Sequence, residues 1–143
     1  MRLSAKAAYA CLAMLELAGH HGDSQPVRLR TIAQAHRIPP RFLVQILLQL
    51  KAAGLVESTR GSSGGYQLAR PPADISLAEV ISAIDRTSAT PPGPLASPRS
   101  PTAQAVREVW EEIQAEEKRL LEERTLAELA QRTLHTGISS YQI

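Results

Sequence analysis

The sequence is short of cysteine and of long apolar runs. Its one thiol, Cys11, excludes an intramolecular disulfide and any cysteine-rich metal site. No stretch approaches the roughly 20 apolar residues that a membrane-spanning helix needs. The Ala-rich start lacks the marks of a secretory leader, since Glu16, His20 and His21 interrupt it and no small-residue cleavage site stands out. A cytoplasmic protein is therefore expected. No Ser/His/Asp set, phosphate-cradling motif or paired-carboxylate pocket is evident, so no enzyme is expected. No metal or cofactor is expected either, because His20-His21 has no partner ligands at defined spacing.

The 143 residues suffice for one globular domain with its own core and an added arm, and a hydrophobic share of 43% is ordinary for a folded protein. The net charge of +2 hides an asymmetry. Residues 1–72 carry nine Lys/Arg against three Asp/Glu, a balance of +6, whereas residues 73–143 carry seven against eleven, a balance of −4. A basic front half joined to an acidic back half points to a polyanion as the partner of the front.

Residues 4–19 are strong helix formers with Ser4 as N-cap and Gly19 as stop. A short helix is expected over 29–35, with Leu29, Ile32 and Ala33 on one face. Pro39-Pro40 then breaks the chain, and Pro40 suits the first position of a third helix. Over 42–53 the apolar residues Leu43, Ile46, Leu47 and Leu50 keep helical spacing, and Gly54 suits a left-handed cap. Residues 55–59 and 66–69 are strand-like and flank the glycine-rich turn 60–65, which gives a hairpin. Three helices followed by a hairpin is the element order of a winged helix. Ser76-Leu77-Ala78-Glu79 is a capping box, with Ile75 and Val80 as its hydrophobic staple, opening a helix to about 84. Residues 87–101 hold five of the ten prolines and read as a mobile loop. A long helix over 102–123 follows, with Val106, Val109, Trp110, Ile113, Leu120 and Leu121 as an apolar stripe among charges. Thr125 to Glu128 opens a last short helix to about 133. The expected fold is mainly α: a winged helix-turn-helix over 1–72 and a helical dimerisation and effector region over 73–143.

In a helix-turn-helix, a short helix packs across the next so that the latter offers its outer face to the major groove. Burying Leu43, Ile46, Leu47 and Leu50 leaves Arg41, Val44, Gln45, Gln49 and Lys51 outside, with Phe42 beside them. Arg and Gln suit bidentate contacts to guanine and adenine edges, and Val suits the thymine methyl. On the hairpin, Arg60 is placed for a narrow minor groove, and Ser62, Ser63 and the glycine amides are placed for phosphate. Arg2, Lys6, Arg28 and Arg30 are expected phosphate contacts by position and charge. Each feature alone also fits an ordinary solvated surface; their combination with the charge split favours DNA.

The sequence resembles the Rrf-type family of bacterial winged helix-turn-helix transcription regulators. The resemblance rests on Met1-Arg2-Leu3-Ser4, Tyr9-Ala10, Ile32-Ala33, Phe42-Leu43, Gln45-Ile46-Leu47, Ala53-Gly54-Leu55-Val56 and, most specifically, the wing Arg60-Gly61-Ser62-Ser63-Gly64-Gly65-Tyr66-Gln67-Leu68-Ala69-Arg70. It continues through Leu77 to Ile81, Trp110 and Leu126 to Leu129. The resemblance implies a homodimer paired through the long helix (Val106, Val109, Trp110, Ile113, Leu120) that reads a palindromic double-stranded operator. In many such relatives, three cysteines before the long helix hold an iron–sulfur cluster. Here residues 85–104 contain no cysteine, Gln104 and Arg107 stand about where a cysteine and a His are implied, and Ala8 and Leu12 replace ligating positions on the first helix. Thiolates hold such clusters, so none is expected. Cys11, among apolar neighbours, is expected to be structural, and Val44 departs from the acidic residue common there. The expected function is a dimeric DNA-binding regulator, a repressor answering to a small-molecule or protein effector. The alternative is a winged-helix protein-interaction module acting through its acidic half.

Overall fold

A computed structural model describes residues 2–86 and 90–141, with side chains of the last helix described as far as Leu134. Six helices and one hairpin follow in the order α1 (Ala5–Gly19), α2 (Leu29–His36), α3 (Pro40–Ala52), β1 (Val56–Thr59), β2 (Gly65–Leu68), α4 (Leu77–Ile84), α5 (Pro101–Glu123) and α6 (Leu126–Tyr141). The winged-helix order expected from the sequence is the order found.

The caps explain the boundaries. The Ser4 hydroxyl accepts from the Ala7 amide at 3.0 Å and starts α1. Pro40 occupies the first turn of α3, and Gly54 follows its end at φ 77°, a left-handed conformation in which glycine carries no Cβ penalty. Both halves of the Ser76–Glu79 capping box are formed. At Thr125 one half is formed, because the Glu128 amide donates to the Thr125 hydroxyl while its carboxylate turns to Arg124 and Arg132.

The core is aliphatic. α1 lies at its centre, touching α2, α3, α4, α6 and β2. Its inner face carries Ala7, Ala10 and Ala13, small residues that let other helices approach closely, with Met14 and Leu17 filling the space beyond. Against them pack Ile32, Leu43, Ile46, Leu47, Leu50, Leu55 and Leu68. The same cluster continues through Ile75, Val80, Ile84 and Leu126, so the core crosses position 72. The Ser4 hydroxyl donates across this junction to the Asp85 carboxylate at 2.7 Å, and backbone bonds tie the start of α4 to the start of α6: the Leu77 amide donates to the Arg124 carbonyl and the Leu126 amide to the Ile75 carbonyl, at 2.9 and 3.0 Å.

Three expectations need adjustment. α6 extends to Tyr141 instead of ending near 133, because the helix runs through Gly137, a residue it tolerates at about 1 kcal/mol. Leu55 is a buried turn residue whose amide caps the Leu50 carbonyl, so the first strand begins one residue later. The stretch 87–101 includes a 3-10 turn at Gly93–Leu95, and Pro101 already belongs to α5; positions 87–89 lie outside the described residues.

Candidate nucleic-acid interface

α3 presents two faces. Leu43, Ile46, Leu47 and Leu50 are wholly buried, while Arg41, Phe42, Val44, Gln45 and Lys51 are exposed, as the helical spacing requires. Gln49 is the exception: it is half-buried, and its Oε1 lies out of solvent without a partner. Phe42 sets its ring edge-on against Tyr9 of α1, with centroids 5.7 Å apart, so it braces the start of α3 as well as facing outward. Lys51 Nζ donates to the Ser58 hydroxyl at 2.7 Å and ties the end of α3 to β1.

The wing is an antiparallel pair in which Val56 faces Leu68 and Thr59 faces Gly65. The linker before α2 adds a further rung, with reciprocal bonds between Val27 and Tyr66 of 2.9 and 2.8 Å. This close approach explains Gly65, where a Cβ would fall onto the Val27 carbonyl. Gly64 is equally constrained, by the Thr59 carbonyl. Gly61, at φ 103°, makes the turn. Arg60, Ser62 and Ser63 are exposed around it.

The cations expected to meet DNA divide. Arg2, Arg30, Arg41 and Arg60 are exposed and Lys6 is half-buried; their side chains form no ion pair or hydrogen bond among the described residues. Arg28 is different, because its Nη2 donates to the Ser62 carbonyl at 2.8 Å. The structure thus brings Arg28 and Ser62 together. Arg37 was missed by sequence reasoning. It is exposed, it caps α2 at φ 53°, and it is the one non-glycine residue with positive φ among those described. Glycine or asparagine would have signalled that cap; an arginine hides it.

Acidic residues are scarce in this half. Glu16 and Asp23 are engaged by imidazoles: His20 Nε2 and His36 Nε2 meet the two Glu16 oxygens at 3.0 and 2.9 Å, and His20 Nδ1 meets Asp23 at 3.0 Å. Cys11 is half-buried against the core, and burial pushes its thiol above the ordinary range, the opposite of what a reactive thiolate requires.

α5 has no buried residue. Val106, Val109, Trp110, Ile113 and Leu120 are 38–54% exposed, whereas Leu121 is half-buried. The charges between them pair along the helix, as in Arg107–Glu111, Arg119–Glu116 and Arg119–Glu123, each at 2.8 Å. At the two positions where the resemblance implied a cysteine and a histidine, Gln104 donates to Glu108 at 3.2 Å and Arg107 Nη1 to the Ala96 carbonyl at 3.1 Å. No helix among the described residues is long and apolar enough to cross a membrane.

The family model Rrf2, described as an iron-dependent transcriptional regulator, matches residues 3–132. A Mycobacterium tuberculosis protein named as an HTH-type transcriptional regulator is 43% identical over 139 residues, covering 91% of this chain and 81% of that one. The solved structure of CymR, the global cysteine regulator of B. subtilis, superposes with a TM-score of 0.81 at 32% identity, covering 92% of this chain and 98% of that one. IscR of T. potens superposes at 0.75 with 31% identity, covering 93% and 88%.

Proposed function

This chain belongs to the Rrf2 family and is a DNA-binding helix-turn-helix transcription regulator; we propose that it acts as a homodimeric repressor, without an iron–sulfur cluster or catalysis, in the cytoplasm. Residues 1–72 bind DNA and 73–143 pair the chains and receive the effector, a division of tasks laid over a shared core. The carrying observation is the solvent-facing side of α3, where Arg41, Val44 and Gln45 stand free beside an exposed wing.

In this reading Arg41 and Gln45 meet base edges in the major groove, with Val44 and Phe42 as apolar neighbours. Arg60 enters the minor groove, Ser62 and Ser63 meet the flanking phosphates, and Arg2, Lys6 and Arg30 hold the backbone. The exposed stripe on α5 supports pairing with a second copy, which sets two heads about one helical turn apart on a palindrome. A small molecule or protein partner received by residues 73–143 is the effector.

The residues present do not fit the iron chemistry in the family's description. A cluster needs several thiolates, and this chain has one cysteine, half-buried in α1. Among the described residues no three His, Cys, Asp or Glu side chains converge as metal ligands. Protein purified without oxygen should be colourless, and stoichiometric iron and sulfide in it would overturn this.

The deciding experiment selects genomic fragments bound by the full chain and titrates them at several salt concentrations. Phosphate contacts release counterions, so affinity must fall steeply with salt. Arg41→Ala or Gln45→Ala should then cost about 1–3 kcal/mol per half-site and relax preference at one base position. Uniform losses across all base variants would remove α3 as the reading element.

A further inference from the structure

Arg28 has the charge and position of a phosphate contact, yet its guanidinium is already engaged. It precedes α2 with an extended backbone, φ −71° and ψ 146°, directly after the Val27 rung that pairs with Tyr66. From that anchored backbone its side chain reaches across 34 positions of sequence to the Ser62 carbonyl at the tip of the wing. The wing has reason to need such support. Each of its strands is four residues long, and a two-stranded hairpin is at best marginally stable in water. Inside the tip, the Gly64 amide donates to the Gly61 carbonyl at 3.0 Å, and Gly61 supplies the left-handed turn. The backbone at the tip is therefore short, glycine-rich and exposed, and Arg28 ties it to the helix-turn-helix from outside the hairpin.

We propose that Arg28 is a positioning residue: it holds the wing tip at a fixed height above the recognition helix, so that Arg60, two residues before Ser62, is presented to the minor groove before DNA arrives. This rests on the DNA-binding role proposed for the wing. Ordering a loop and a long side chain at the moment of binding weakens affinity, and ordering them beforehand removes that cost. A guanidinium donating to a carbonyl keeps its charge and its other N–H groups, so Arg28 still adds to the positive potential of the head. What it gives up is freedom to follow a phosphate. Val27, bonded to Tyr66 and packed against Gly65, fixes the strands just below the turn, and Arg28 fixes the turn itself.

The test uses the full chain with Arg28→Ala, Arg28→Lys, Arg60→Ala and the double variant Arg28→Ala/Arg60→Ala. Hydrogen exchange of the Gly64 amide is measured without DNA, and the selected duplex is titrated at several salt concentrations. Arg28→Ala should speed Gly64 exchange about tenfold and weaken DNA binding about as much as Arg60→Ala does. Arg28→Lys should restore part of both, since an ammonium also donates to a carbonyl. In the double variant the affinity should equal that of Arg60→Ala, and the salt slope should be shallower by about one in total. Additive losses, with a slope shallower by about two, would make Arg28 an independent phosphate contact and overturn the proposal. Unchanged Gly64 exchange would overturn it as well. If the wild-type chain binds no duplex in a salt-dependent way, the DNA reading of the wing fails, and the exchange measurement alone then decides whether Arg28 holds the tip.

Discussion

The basic front and the acidic back of this molecule solve opposite problems. In the front, α1, α2 and α3 each bury a face against the aliphatic core, Leu12 of α1 and Phe42, Val44 and Leu48 of α3 stay exposed, and the unpaired charges outside are cations apart from Glu57. In the back, α5 buries nothing fully, holds its charges in pairs along its own length, and leaves its large apolar side chains in solvent. Exposed single apolar residues are common, but a contiguous stripe framed by charges marks an association surface. Each front helix thus has a buried face and an outer face that carries mostly cations, whereas α5 has no buried face at all within one chain. The core that runs from Leu43 through Ile75 to Leu126 makes the two halves mechanically one piece. α5 gives that core no residue and reaches it through its packing against α4, so under the proposed pairing α4 is what links the paired helices to the heads.

The sharpest way to break this contrast is to charge the stripe. Ile113→Asp places a carboxylate among Val109 and Trp110, in a surface where no partner compensates it. The chain should become monomeric by light scattering while its helix content stays unchanged, since no core residue is touched. DNA affinity should fall about 10²–10⁴-fold, the advantage that two linked sites have over one. A dimeric variant would move the pairing surface off α5.

The next effect belongs to the wing. Gly65→Ala drives a methyl into the Val27 carbonyl, and the obstacle is backbone that cannot step aside cheaply. The wing must detach from the linker, at about 1–3 kcal/mol of stability, the range for overpacking. Thermal unfolding measures it, and the dimer should survive. An unchanged midpoint would show that the Val27–Tyr66 rung contributes nothing to the head.

Much of this arrangement was readable from local chemistry. Pro40 and Gly54 bracket α3 because each acts within one turn of backbone, and Ser76 with Glu79 does the same for α4. The spacing of Leu43, Ile46, Leu47 and Leu50 fixed which side of α3 is left outside. What escaped was non-local or disguised. The bond from Arg28 to Ser62 joins distant positions that share no periodicity. Arg37 occupies a left-handed cap that its side chain does not advertise. Position 72 marks the change in charge, but Ile75 and Val80 belong to the core of the front because the staple that starts α4 is itself buried there.

A smaller effect is expected from Lys6. Its side chain has no partner among the described residues, so its loss leaves no buried group unsatisfied. Lys6→Ala should weaken all duplex sequences about equally and make the salt slope shallower by about 0.9. Sequence-dependent losses would place Lys6 at base edges.

The smallest effect concerns His20, where the front half disposes of two of its few acidic groups. Both ring nitrogens face carboxylate oxygens, Nδ1 toward Asp23 and Nε2 toward Glu16, each at 3.0 Å. Carboxylates only accept, so both bonds exist together only when the ring is doubly protonated. His36 shares Glu16 from α2, so the group joins the end of α1, the following turn and the end of α2. The hydrogen bond to Asp23 chiefly raises the His20 pKa, partial burial opposes it, and Glu16 adds to the rise. A folded-state pKa above the ordinary value of about 6.5 means stabilisation that is fully present below that pH and lost as pH rises through the folded value. Because His20 and Asp23 are well exposed, the amount should stay under about 1 kcal/mol, as for surface ion pairs. His20→Gln should therefore unfold more easily than the parent in mildly acid solution and match it at alkaline pH. Thermal midpoints of the two proteins across pH 5.5–9 measure the difference; a gap that widens toward alkaline pH would mean that the ring is neutral when bound and that Asp23 and Glu16 do not hold its proton.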